Sequence, residues 1–248
     1  MLYSLIRLAS LAFIVLIAGC TTETITEPLP TGTMVGRAFL HKLKEPVYDH
    51  SGIRVTIEGT AFSTMTDKNG DWRIDDLPTR TYTVVYEHEG FGLMKQPMVS
   101  FIGGGVVRVQ SVSMSAIPKC GTVFDAVRQI DTFYIEAHAH ATCSELDSMI
   151  GFINEYIVFV FSNSPDVSAD PSKHKFAQLT STPQPRGTAT AMLSKQQIEQ
   201  YLDINDSIYI AAYNVGGTGW IDPLTDRTIY TSWHPDRDRT LAIKWNQD

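Results

Sequence analysis

Cysteine is scarce in this chain: three in 248 residues, at Cys20, Cys120 and Cys143. Neither of the later two sits in a pattern that suggests a nucleophile, so catalysis by a thiol is not indicated. Basic residues are outnumbered, 20 Lys and Arg against 27 Asp and Glu, and form no cluster. That removes the electrostatic footprint of a nucleic-acid-binding protein. There is no Gly-x-Ser-x-Gly elbow and no His-Glu-x-x-His helix, so the common hydrolase constellations are missing and no cofactor is expected. Gly216-Gly217-Thr218-Gly219 lacks the strand-then-helix context of a phosphate loop. Beyond Cys20 no apolar run approaches the roughly 20 residues of a membrane span. Hydrophobic residues nevertheless make up 43% of the chain and aromatics 10%, enough to build cores and too many for a disordered stalk.

One end is different. Arg7 is followed by an apolar stretch from Leu8 to Ile17, then by Ala18-Gly19-Cys20. A positive start, a short apolar core and small residues at a cut site make residues 1–19 a signal peptide. Ile17-Ala18-Gly19-Cys20 resembles the lipobox of bacterial lipoproteins. The resemblance implies lipid on the Cys20 sulfur, cleavage after Gly19 and acylation of the new amine. The partner implied is a membrane, reached through that lipid, because two or three acyl chains anchor stably where one is marginal. Residues 20–32, polar and carrying Pro28 and Pro30, read as an extended tether. In an exported chain Cys120 and Cys143 can pair as a disulfide or remain two buried thiols; the sequence leaves both open.

From residue 33 the pattern is that of strands. Ile53, Val55 and Ile57 alternate with polar residues, as do Trp72 with Ile74, and Tyr82, Val84 and Tyr86. Asp67-Lys68-Asn69-Gly70 and Gly103-Gly104-Gly105 supply turn chemistry, and Val106 to Met114 reads as one closing strand. Asp67, Asn69 and Asp71 begin like an EF-hand loop, but Pro78 stands where the closing glutamate belongs, so a hairpin turn is expected. Gly52-Ile53-x-Val55-x-Ile57-x-Gly59-Thr60, Thr66-Asp67-x-Asn69-Gly70-x-Trp72-x-Ile74, Leu77-Pro78, Tyr82-Thr83-Val84 and Gly90-Phe91 follow one another in order. Together they resemble the carboxypeptidase regulatory-like domain. The resemblance covers residues 33–116 and implies a transthyretin-like β-sandwich that is generally non-catalytic. Thr79-Arg80 departs from it, where that family usually has a glycine.

Residues 117–248 are expected to form a second domain. Phe133, Ile135, Ala137, Ala139 and Ala141 line one face of a strand, and Glu136, His138 and His140 the other. Two imidazoles and a carboxylate on one face are candidate zinc ligands, and with an open coordination position would suit a metal-dependent hydrolase; the alternative is a polar face with solvated histidines. Tyr156 to Phe161 is an unbroken apolar run, read as a central strand buried on both faces. Ser194 and Gln197 form a capping box, with Leu193 and Ile198 as a hydrophobic staple, opening a short crossover helix. Ile210-Ala211-Ala212-Tyr213-Asn214 resembles the penultimate strand of fibronectin type III-like domains, which implies an immunoglobulin-like sandwich over about residues 130–245. Thr228 to Trp233 and Thr240 to Trp245 are expected to close it. Trp220, Trp233 and Trp245 gather late in the chain. They fill the second core or, if exposed in one plane, form a glycan-binding platform.

The fold class expected is therefore all-β, two tandem sandwiches behind a tether. The layout resembles lipoproteins of Bacteroidota-type envelopes, which implies an outer membrane. The function expected is a non-enzymatic, membrane-anchored binding, adhesion or assembly module with an unknown protein or glycan partner. Glycan capture through the late tryptophans and hydrolysis at His138/His140 are the alternatives.

Overall fold

The computed structural model describes residues 29–42, 45–142, 156–181 and 188–245. Cys20, the expected signal peptide, most of the expected tether and Cys143 lie outside these residues. Among the described residues almost everything regular is strand, with a single helix, and no helix is long and apolar enough to cross a membrane.

The first domain contains β1 (Thr31–His41), β2 (Arg54–Ile57), β3 (Ser63–Met65), β4 (Asp71–Pro78), β5 (Arg80–Glu87), β6 (Met94–Phe101), β7 (Val106–Arg108) and β8 (Val112–Ser115). They form two packed sheets. One runs β3-β2-β5-β6; the other runs β4-β1-β7, with β8 also on β1. The expected single strand from Val106 to Met114 is two. β7 pairs with Thr33–Val35 and β8 with Ala38–His41, both parallel to β1, and Val109 dips into the core between them. Alternation does what the sequence promised. Val55 and Ile57, Trp72 and Ile74, Tyr82, Val84 and Tyr86 all point into one core with Met34, Leu77 and Phe101. Asp67 shapes the expected hairpin turn: its carboxylate accepts from the backbone N–H of Asn69 and Asp71 at 2.8 and 3.0 Å. Asp71 itself is taken by a bidentate pair with Arg37, which holds its carboxyl below the usual range.

The second domain holds β9 (Gly121–Gln129), β10 (Tyr134–Thr142), β11 (Tyr156–Ser162), β12 (Phe176–Ser181), β13 (Ala189–Ser194), α1 (Lys195–Tyr201), β14 (Ile208–Val215), β15 (Gly219–Asp222), β16 (Arg227–Tyr230) and β17 (Leu241–Ile243). Sheet β13-β10-β9 packs on sheet β12-β11-β14-β17, and α1 carries the chain from the first to the second. The helix starts as its sequence directs. Ser194 accepts from Gln197 N–H, and the Gln197 side chain accepts from Ser194 N–H at 3.0 Å. Phe133 departs from expectation: it precedes β10 in a turn held by the Asp131 carboxylate and is exposed, so Ile135 is the first residue of the apolar face.

The central strands are buried on both faces. Ile157, Phe159 and Phe161 of β11 join Ile208, Ile210 and Ala212 of β14 in the core between the sheets. Val158, Val160, Ala211, Tyr213 and Val215 form another core on the opposite side. Val167 and Ala169, from the loop after β11, cover that side together with Tyr230 and Trp233. Irregular chain thus acts as a third layer, so β11 and β14 read as continuous apolar runs.

Hairpin β15–β16 is not in either sandwich sheet; its strands pair only with each other. Of the expected closing segment Thr228–Trp233, the first part lies in this hairpin and only the end reaches the sandwich, where Trp233 bridges Val215 of β14; β17 pairs along β14 as the closing strand among the described residues. On one side Arg227 donates to the carbonyls of Pro171, His174 and Lys175 at 2.7–3.1 Å. On the other the hairpin and its flanks lie against the first domain. Ser115 N–H donates to Thr218 Oγ1 at 3.1 Å, and Thr231 Oγ1 donates to the Leu93 carbonyl. Two glycines make this seam possible. A Cβ on Gly92 would sit 2.4 Å from the Ser232 nitrogen, and one on Gly216 would sit 2.5 Å from the Ala116 oxygen.

Candidate binding cleft

β6 is an edge strand of one first-domain sheet, and β8 lies outermost beside β1 in the other. The flank between them is open, and β15 enters it from the second domain. The result is a cleft of about 380 Å³, lined among others by Lys95, Gln96, Gln110, Ser111, Ser113 and Trp220. Trp220 is its aromatic wall. The indole packs against the first-domain core, not the second. The Lys95 ammonium lies 5.8 Å from the ring centroid and also pairs with Glu58. Such a cation over an indole face adds attraction and fixes the ring. Gln96 is positioned from beneath: Tyr86 Oη donates to its amide oxygen at 3.1 Å, and the amide nitrogen has no partner among the described residues. Burial pushes the Tyr86 phenol well above its ordinary range, so it stays a donor. Trp220 Nε1 has no hydrogen-bond partner among the described residues. Pro97 withholds one backbone donor from the β6 edge, which blunts it against pairing with another strand. A flat apolar wall ringed by amides, hydroxyls and one cation can take a planar or ring-shaped polar ligand by stacking plus hydrogen bonds.

The sequence signalled Trp220 and none of the other lining residues. Lys95, Gln96, Gln110, Ser111 and Ser113 read as ordinary polar positions at strand edges. They become a site only because a hairpin from more than one hundred positions later covers them.

The three late tryptophans pack in three different places, which departs from the platform reading. Trp245 is buried in the core between the second-domain sheets. Trp233 packs edge-on against Tyr213, 5.5 Å between centroids, in the outer core. Trp220 belongs to the cleft. Three surroundings in two domains cannot present one stacking surface.

Glu136, His138 and His140 do share one face of β10, yet they do not converge. A bulge in the pairing with β9 after His138 skips Asp125, whose carboxylate takes His140 Nδ1 at 2.9 Å. His138 Nε2 donates to Glu136 at 3.0 Å, and its Nδ1 faces Thr190 Oγ1 at 3.1 Å. Arg128 is the larger influence on Glu136 and, with His138, holds its carboxyl below the usual range. Among the described residues no group of three or more His, Cys, Asp or Glu could hold a metal ion. The hydrolase alternative therefore lacks its ligand set among these residues. Cys120 is buried and disulfide-bonded. Both other cysteines, Cys20 and Cys143, lie outside the described residues, and the pairing of Cys120 with Cys143, one of the two readings left open above, falls there too.

Residues 46–115 match the model of the carboxypeptidase regulatory-like domain. That stretch belongs to the first sandwich. No curated protein matches the chain. Among solved structures, an interface mutant of a type II cohesin–X-dockerin complex from Acetivibrio cellulolyticus is 24% identical with a TM-score of 0.31. That likeness covers 35% of this chain, which spans 58% of the matched one. A Bacteroides uniformis protein described as a candidate carbohydrate-binding protein is 15% identical over 87% of this chain and 99% of its own, TM-score 0.32. A DUF3823 family protein from the same organism is 13% identical over 88% of this chain and 100% of its own, TM-score 0.32. These likenesses carry no argument about a ligand.

Proposed function

We propose that this chain is a non-enzymatic binding protein of a bacterial outer membrane. In this reading lipid on Cys20 anchors it, and the cleft beside Trp220 receives a polar, ring-containing ligand such as a glycan segment. The cleft carries the ligand half: one indole wall, the Gln96 amide, two serine hydroxyls and Lys95 around about 380 Å³. Ile17-Ala18-Gly19-Cys20 after an apolar stretch supports the anchor half.

Two measurements test it. Cells expressing the full chain are fed an alkyne-tagged palmitate, and the label is expected on the wild type and absent from Cys20→Ala. An unlabelled wild type sinks the anchor. For the ligand, the purified protein is run through native gels cast with single soluble polysaccharides. Retardation by at least one, weakened in Gln96→Ala/Ser113→Ala, is expected. No retardation, or retardation untouched by that double change, removes the glycan from this cleft.

A further inference from the structure

β1 starts at Thr31 at one end of the first sandwich and reaches His41 at the other, about 33 Å away at ~3.3 Å per residue. β8 runs parallel to it and hands the chain to the second domain at the His41 end, where Ala116 N–H donates to the His41 carbonyl. The cleft also lies away from the Thr31 end, at the Met94 end of β6. The Thr31 end is thus clear of the second domain. It consists of Leu29 to Thr31, the turn at Gly59-Thr60, Thr79-Arg80 and the loop from Ile102 to Gly105. Thr79 Oγ1 ties it together, lying 2.8 Å from the Pro30 carbonyl and 3.1 Å from that of Ile102.

This end is unusually apolar for a surface. Leu29, Ile102 and Val106 are 63%, 73% and 65% exposed. Single exposed aliphatic residues need no explanation, but three at one end that otherwise holds Gly, Thr and Pro do. The positive charge there is Arg80, which is exposed. Glu58, beside it, is paired with Lys95. Asp75 and Asp76 form the β4 bulge opposite Thr33, level with Val106 across β1; Asp75 is paired with Arg73 and hydrogen-bonded by Thr33, and Asp76 is exposed. Cys20 is nine residues before Leu29, so even a fully extended tether holds this end within about 32 Å of an anchoring lipid.

We infer that Leu29, Ile102 and Val106 dock this end of the first sandwich into the headgroup region of the bilayer. Arg80 meets the phosphates there, and the second domain and the cleft stand away from the membrane. The inference rests on the lipid anchor proposed above. A shallow apolar contact of this size is too weak to recruit a protein alone and becomes effective once an acyl anchor concentrates it at the surface.

The test uses the full chain, processed in cells and reconstituted in vesicles containing a headgroup-nitroxide phospholipid. Single cysteines at Ile102→Cys, Val106→Cys and Leu224→Cys carry an environment-sensitive fluorophore, with the parent chain as labelling background. Leu224 is the reference, because it is 92% exposed in the turn between β15 and β16. Quenching at 102 and 106 at least about twofold greater than at 224 is expected for a label held in the headgroup layer. Equal quenching at all three, in a chain shown by mass to be lipidated at Cys20, overturns the docking alone. An unmodified Cys20 overturns both the anchor and the docking that depends on it. Shielding at 102 that is indifferent to nitroxide and rises with protein density assigns the tip to a second copy and also overturns the inference.

Discussion

The two domains use β-strands in opposite ways. In the first, strands such as β2 and β4 have one buried and one wet face, and two sheets suffice. In the second, β11 and β14 are buried on both faces, because loop residues Val167 and Ala169 and the base of the β15–β16 hairpin cover the outer side. A two-layer sandwich is self-contained and locally encoded. A strand pair covered by irregular chain depends on segments far away in sequence. The hairpin that supplies part of this cover also forms one wall of the cleft on the first domain. The shape of the cleft and second-domain stability are therefore expected to be coupled.

Core truncations sharpen the contrast most. Phe159→Ala should cost about 3–5 kcal/mol and Val158→Ala, on the opposite face, about 1–3, since both side chains are at most 1% exposed. In β4 only one parity should matter: Ile74→Ala should cost about 2–4 kcal/mol and its exposed neighbour Arg73→Ala at most ~0.5. Urea denaturation of the four variants checks this. A harmless Val158→Ala would mean that the outer cover is not a packed layer. The next effect concerns the seam. Gly216→Ala places a methyl against backbone that cannot move aside, and should cost about 1–3 kcal/mol. It should also raise amide exchange in β15 and β16 while leaving β2 and β5 protected. Unchanged hairpin exchange would show that the domains do not rely on this contact.

Ser194→Ala should cost about 1 kcal/mol by removing the cap of α1. That loss should appear in the second domain's exchange rates and not in the first's. The mildest effect is one of pH. Burial of His174, reinforced by Arg227 nearby, lowers its pKa below the ordinary 6.5. The unfolded chain then binds a proton that the folded one refuses. Stability contributed by the neutral imidazole is present above about 6.5 and is lost as pH falls from that value toward the folded pKa. Urea midpoints from pH 7.5 to 5 should fall less in His174→Asn than in the wild type. Identical slopes would remove His174 from the pH response.

The difference between the domains also explains how far each could be read in advance. Ile53, Val55, Ile57, Trp72 and Ile74 announce strand, face and turn within a few residues, because period-2 burial and turn chemistry are local. The run from Tyr156 to Phe161 announced double burial, but not what would cover it. The metal trio had the right face and failed on a bulge: one extra residue, Asp125, captured His140. Nothing in the spacing of Glu136, His138 and His140 carries the register of β9. Trp220 was legible as an aromatic of interest. Its partners were not, since Lys95 and Gln96 are remote in sequence and acquire meaning only by apposition.

The sequence by itself determined an all-β chain, a capped crossover helix, a doubly buried central strand and the lipobox-like start at Cys20. Each is a property of neighbouring residues: their periodicity, their caps or their linear order. Tertiary structure decided which tryptophan lines the cleft, where the histidines find their partners, and how the two domains meet at Gly92 and Gly216. Those outcomes depend on long-range register and on close approach of backbones. No local pattern encodes them, because their energy appears only when distant segments are already in contact.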